Sequence, residues 1–160
     1  MIACRFSCKG RRFSTIRWPG KVPAGRVSNE IVHIVDMYPT LARVGGAEVP
    51  KDRPIDGLDQ LDFFLDKQEN SNREGFPAYV ADRLSAVKWH NWQMHLIWQV
   101  SIYDPPVTLP LPKLINLLTD LKEEHDVGAK AGWVSVPMTK ILVELEQSLK
   151  QYPPIKAGTP

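Results

Sequence analysis

Thiols, imidazoles and clustered indoles are the side chains of this chain that could do chemistry, and their spacing limits what that chemistry is. Cys4 and Cys8 are separated by three residues, with nothing else nearby to complete a metal's ligand set. They read as reduced, structurally idle thiols, and a lone pair gives no disulfide framework. His33 lies in an apolar run, where a histidine is a core or capping residue before it is a ligand. His90 and His95 fall in one hairpin. With regular pairing, His90 occupies the turn and His95 points to the more polar strand face, so the two do not share a metal. Trp89, Trp92 and Trp98 could form a platform for a sugar or aryl ring. Trp92 and Trp98 share an apolar face with Met94 and Leu96 and are expected to pack under a helix, which leaves Trp89 open. The charged run "DLKEEHD" reads as a solvated turn.

The elements that must position these residues follow from periodicity and turn chemistry. With 43% hydrophobic and 24% charged residues the chain is globular rather than disordered. A net charge of +2, with basic residues balanced by acids, argues against a nucleic-acid partner or an anionic membrane surface. No stretch is long and apolar enough to span a bilayer, and the first residues carry charges where a signal peptide needs an apolar region. Phe13 to Arg17 is β-prone and ends at Trp18-Pro19-Gly20. Ile31 to Ile34 reads as extended or loosely coiled. Asp36 is the expected N-cap of a helix over 37–44, with Pro39 in the first turn where its missing N–H costs no bond, and Gly45-Gly46 closes the helix. "LDQLDFFLDKQ" is a short amphipathic helix or turn, and "ENSNREG" a polar linker.

Downstream, "PAYVADR", "LSAVKW", "WQMHLIW" and "KLINLL" read as antiparallel strands, with His90-Asn91 as a two-residue hairpin turn in which Asn takes positive φ. The prolines at 105, 106, 110 and 112 are assigned to loop, as are residues 128–134. Ser135 is the expected cap of a final helix whose Ile141, Leu142, Leu145 and Leu149 form one apolar stripe. Strands covered on one face by a helix make a small α+β unit.

These segments together resemble the sulfatase family. "IRWPGKVPAGRVSNEIVHIVDMYPTLARVGG" is similar to its strand into R-W-P-G-K, a P-x-G loop and D-x-x-P-T-L. The matching residues are Arg17, Trp18, Pro19, Gly20, Lys21, Gly25, Asp36, Pro39, Thr40, Leu41 and Gly45. Asp56, Gly57, Leu61 and Leu65 fit the family's D-G-x-x-L segment. "AVKWHNWQMHLIW" looks like its V-R-x-G-x-W-K hairpin, and "KLINLLTDLKEEHDV" like L-Y-N-L-x-x-D-P-x-E-x-x-N. The motifs occur in the family's order across residues 16 to about 150. Gln93 stands where the family has lysine, and Leu121 where it has proline.

The resemblance implies the C-terminal part of an alkaline-phosphatase-like fold, α/β passing to α+β. Residues 1–60 would be a remnant of the main α/β domain, and residues 61–160 an antiparallel-sheet subdomain with a terminal helix. In the full-length family a cysteine or serine in C/S-x-P-x-R becomes formylglycine, whose hydrate attacks a sulfate ester beside a calcium ion held by Asp and Asn oxygens. Full-length relatives are often periplasmic, secreted or lysosomal. Cys8-Lys9-Gly10-Arg11-Arg12 has glycine where that motif needs proline, and no D-N-G or paired Asp supplies the metal carboxylates. The match also decays upstream of Thr15, as in a chain lacking its N-terminal half. The expectation is therefore a sulfatase C-terminal portion with no catalytic or metal residue of its own and little activity alone. Trp89 and His90 are its candidate substrate-rim residues, and self-association through uncovered apolar surface is expected. The alternative is a non-catalytic binding or assembly module derived from a sulfatase.

Overall fold

The computed structural model describes residues 3–5, 13–52, 54–99 and 103–153. The chain forms two compact units, residues 1–74 and 75–160.

In the first unit, β1 (Ala3–Arg5) pairs antiparallel with β2 (Phe13–Thr15), Cys4 opposite Ser14. β2 is shorter than the β-prone run because Trp18-Pro19-Gly20 already shapes the chain into a turn, closed by Trp18 C=O accepting from the amides of Lys21 and Val22. One edge of β2 is thus occupied by β1, a pairing that no local sequence pattern marks. Helix α1 covers Met37–Val44 with Gly45 as C-cap. It is preceded by a 3-10 turn, Ile34–Asp36, which takes in only the last residue of the segment read as extended or loosely coiled. The cap moves upstream accordingly: His33 Nδ1 accepts from Val35 N–H, and Asp36 accepts from His33 N–H at 2.8 Å. Asp36 makes no side-chain cap to α1. Helix α2, Leu61–Phe64, is a single turn.

The second unit is a meander of four antiparallel strands in the order β3-β4-β5-β6: Gly75–Val80, Arg83–Trp89, Trp92–Trp98 and Val107–Asn116. Trp89 pairs with Trp92, leaving His90-Asn91 as the two-residue turn. Positive φ falls on His90 (+46°), not on Asn91. β6 is longer than "KLINLL" because Pro110 and Pro112 lie inside it rather than in a loop. His95 pairs with Lys113 and Ile97 with Thr108, so residues 109–112 oppose Leu96 alone. The prolines occupy this interruption, where no ladder bond is asked of them, on an edge strand.

The same interruption breaks the alternation of β5. Trp92 and Leu96 pack on the core formed by Val87, Met94, Leu114, Ala131, Val134 and Met138. Trp98 instead makes an edge contact with the His95 ring, centroids 5.1 Å apart, so it does not pack under the helix as its parity suggested. Residues 128–134, expected as loop, form a helical turn α3 (Gly128–Ala131) and a 3-10 turn (Gly132–Val134). They run directly into α4, Ser135–Gln151. Ser135 is therefore inside the helix, its hydroxyl donating to Gly132 C=O at 2.6 Å rather than capping. α4 packs on β3 and β4 through Met138, Ile141 and Leu142, with Leu145 half-buried. Gly75 lets it approach: a Cβ there would stand 2.7 Å from Ile141 Cδ1 and 2.2 Å from Lys88 O.

Met138 is fully buried and Leu149 is 42% exposed. Met138→Ala should lower the unit's stability by about 2–4 kcal/mol in urea denaturation, and Leu149→Ala by less than about 1 kcal/mol. Equal effects would misplace the helix face.

Candidate functional site

Two buried ionic centres organise the described residues, one in each unit. In the first, the Asp36 carboxylate is wholly buried and Arg73 nearly so. Arg73 Nε donates to both Asp36 oxygens at 3.0 and 2.9 Å, and Nη2 to Oδ1 at 2.5 Å. The amides of His33 and Leu58 donate to the same carboxylate, each at 2.8 Å. Arg73 also donates to Asp56 C=O. Burial alone would raise the Asp36 pKa. The hydrogen bonds from Arg73, Leu58 and His33 outweigh it and hold the carboxyl below its ordinary value. Burial, and then the Arg73 charge, lowers the His33 pKa. Thr40 extends the network, donating to Asp36 C=O at 2.6 Å and accepting from Gln60 N–H at 2.9 Å. Gln60 Oε1 accepts from Asn72 N–H, and Ser71 Oγ donates to Ile31 C=O. Gly57 fits beneath, since a Cβ there would lie 2.3 Å from Val35 O and 2.8 Å from Pro39 Cδ. The geometry gives the aspartate, threonine and D-G positions of the sequence motifs a packing reason.

In the second unit the segment after β6 is closed by its own acceptors. Asn116 Oδ1 takes Leu118 N–H, Asp120 Oδ2 takes His125 N–H at 2.7 Å, and Asp126 Oδ1 takes the amides of Leu114 and Gly128. The His125 amide is the main cause of the lowered Asp120 pKa. Glu123, expected in a solvated turn, is 5% exposed. Its Oε2 lies 2.9 Å from His95 Nε2, so His95 is buried against a carboxylate rather than facing solvent. Leu121, where proline was expected, is exposed and leaves the core unaffected.

The candidate rim residues sit at the β4–β5 turn. Trp89 is half-buried against the core and its Nε1 finds no hydrogen-bond partner. His90 is exposed, its ring edge-on to Trp89 with centroids 4.7 Å apart. Cys8 to Arg12 lie outside the described residues. Among the described residues no three His, Cys, Asp or Glu side chains converge. No helix of the described residues is long and apolar enough to cross a membrane.

No family model matches the chain. Mouse steryl-sulfatase is 37% identical over 90 residues, 56% of this chain and 14% of that protein. Human arylsulfatase D is 35% identical over 88 residues, 55% of this chain and 15% of that protein. Pig N-acetylgalactosamine-6-sulfatase is 46% identical over 85 residues, 51% of this chain and 16% of that protein. The solved PsFucS1 sulfatase from Pseudoalteromonas sp. superimposes with a TM-score of 0.79 at 25% identity, over 91% of this chain and 31% of that one. The chain is similar to sulfatases over part of their length. It matches the C-terminal portion of the sulfatase fold, a four-stranded antiparallel sheet with a C-terminal helix, and its similarity to the curated sulfatases above spans only 14–16% of their length. This sulfatase portion was legible through its motifs. Arg73 was missed because nothing in "ENSNREG" distinguishes its arginine from a solvated one.

The Asp36–Arg73 pair makes two expectations. Arg73→Leu leaves an unpaired buried carboxylate and should destabilise the first unit by about 3–5 kcal/mol, read by hydrogen exchange of residues 31–62. Because the folded Asp36 pKa is depressed, its contribution is complete above the ordinary carboxyl value of 3.8 and is lost as pH falls through the lower folded value. An acid-unfolding curve for the unit that is unchanged in Asp36→Asn would contradict this.

Proposed function

We propose that the chain is the C-terminal portion of a sulfuric ester hydrolase of the arylsulfatase kind and has no sulfatase activity by itself. The observation that carries the reading is the restriction of the similarity to a small C-terminal share of each relative, in a sequence with no C/S-x-P-x-R motif. Formylglycine needs that motif, and calcium needs several convergent oxygen ligands. The sequence lacks the motif for the first, and the described residues bring together no ligand set for the second, so no step is routed through them. In a whole sulfatase both groups and the sulfate ester would belong to the remainder of the protein. Trp89 and His90 would stand at the rim of its pocket, where the turn conformation of His90 presents an imidazole beside an indole.

A specific feature favours the second reading, a non-catalytic binding or assembly module. α1 and its preceding turn bury polar groups and expose apolar ones. Asp36 and Thr40 face inward, while Ile34 (71% exposed), Tyr38 (53%) and Leu41 (54%) form an outward stripe. Such a stripe supports association, with another copy of the chain or with the remaining sulfatase fold.

The purified chain should not turn over aryl sulfates, with or without calcium. Turnover above a heat-killed control and abolished by a chelator would sink the reading. On size exclusion the full chain should elute above monomer size. Residues 75–160 should elute as a monomer, the cut being placed after Arg73 because that arginine belongs to the Asp36 pair. A full chain that is monomeric with a sharp melt, beside an insoluble 75–160, would reverse the assignment of the exposed surface.

A further inference from the structure

Three unusual features coincide at Glu123. It is a non-glycine residue in the left-handed region, φ +60°, a conformation that costs energy and here turns the side chain inward. Its carboxylate is buried beside the buried His95. Its Oε1 is buried with no hydrogen-bond partner, although a carboxylate oxygen removed from water is costly to leave bare. The available donors all converge on the other oxygen. His95 Nε2 stands 2.9 Å and Gln93 Nε2 3.3 Å from Oε2, and the two nitrogens are 3.2 Å from each other. The nearest cross-strand cation does not relieve this: Lys113, opposite His95, places Nζ over the Trp98 ring, 4.2 Å from its centroid. Trp98 in turn fixes the His95 ring edge-on, at an interplanar angle of 88°.

A triangle of donor atoms with edges of 2.9, 3.2 and 3.3 Å is close to one face of a tetrahedral coordination shell, whose edges are about 3.3 Å for bonds of about 2.0 Å. A half-turn of the Gln93 amide puts its oxygen where the nitrogen stands, and the bare Oε1 is free to bind as the carboxylate's second arm. We propose that His95, Glu123 and Gln93 form a site for a divalent ion of the zinc class. Imidazole with a carboxylate selects such an ion over calcium, which takes oxygen ligands throughout. The site is independent of the sulfatase reading, since none of its three side chains was assigned to sulfate chemistry.

The test is zinc binding to the full chain carrying Cys4→Ser and Cys8→Ser, which removes the thiols, by competition with a chromophoric chelator. One equivalent should bind. Glu123→Gln should weaken it at least tenfold, and Gln93→His, which supplies a second imidazole, should tighten it at least tenfold. Calcium in excess should not compete. Absence of binding, binding unchanged in Glu123→Gln, or no gain in Gln93→His would each overturn the site. The Gln93→His arm decides the matter even where Glu123→Gln fails to fold.

Discussion

A carboxylate with no solvent contact must have its charge met from within, and Asp36 is met from three separated parts of the chain: His33 beside it, Leu58, and Arg73. Each partner fixes a segment that has no regular structure of its own. Leu58 holds the loop that leads to α2, and Arg73 holds the polar stretch before β3 while also taking the Asp56 carbonyl. Thr40 and Gln60 act one step further out. The first unit therefore keeps its shape by hydrogen bonds converging on one charge rather than by a large apolar core. Of its described residues, only Ile31 and Phe63 are buried hydrophobics. Such a centre constrains geometry closely, because a displaced partner leaves charge unpaired in a medium of low dielectric constant.

That arrangement explains the polarity of α1. A helix that must bring Asp36 and Thr40 to an internal network cannot also turn Ile34, Tyr38 and Leu41 inward, since the two sets lie on opposite sides. The second unit solves the same problem conventionally. Its helix buries Met138 and half-buries Ile141 and Leu142 against the sheet, and Asp120 and Asp126 in the loop after the sheet are spent on backbone amides.

What the sequence made legible follows this division. The limits of α1, the β5 strand with its two-residue turn and the Ile141–Leu142 part of the α4 stripe are written in local periodicity and in Gly and Pro placement, and they appear as read. Leu149, read into the same stripe, is exposed, and Met138, left out of it, is buried. The misreadings are of residues whose role is set by distant partners. Glu123 sits among charged neighbours and has no local mark of burial; only its pairing with His95, 28 residues away, removes it from water. Trp98 follows strict alternation in sequence, and the register break opposite residues 109–112 reverses it. Pro110 and Pro112 argue for loop unless the strand is known to be at an edge and interrupted. Of the candidate site, the motif positions of Asp36, Asp56 and Gly57 were visible, whereas Arg73 and the His95–Glu123 contact required coordinates.

The strand order of the sheet has a kinetic side. Every strand in β3-β4-β5-β6 lies beside its sequence neighbour, and the first two connections are two-residue turns. No pairing has to wait for a remote segment, so little loop-closure entropy stands before each contact forms. A meander of this kind has low contact order for a β structure and assembles hairpin by hairpin. The Asp36–Arg73 centre is the opposite case, since its 37-residue separation must be closed before either charge is compensated. Within one polypeptide, the 75–160 sheet can form by short-range steps while the first unit depends on a slower, longer-range closure.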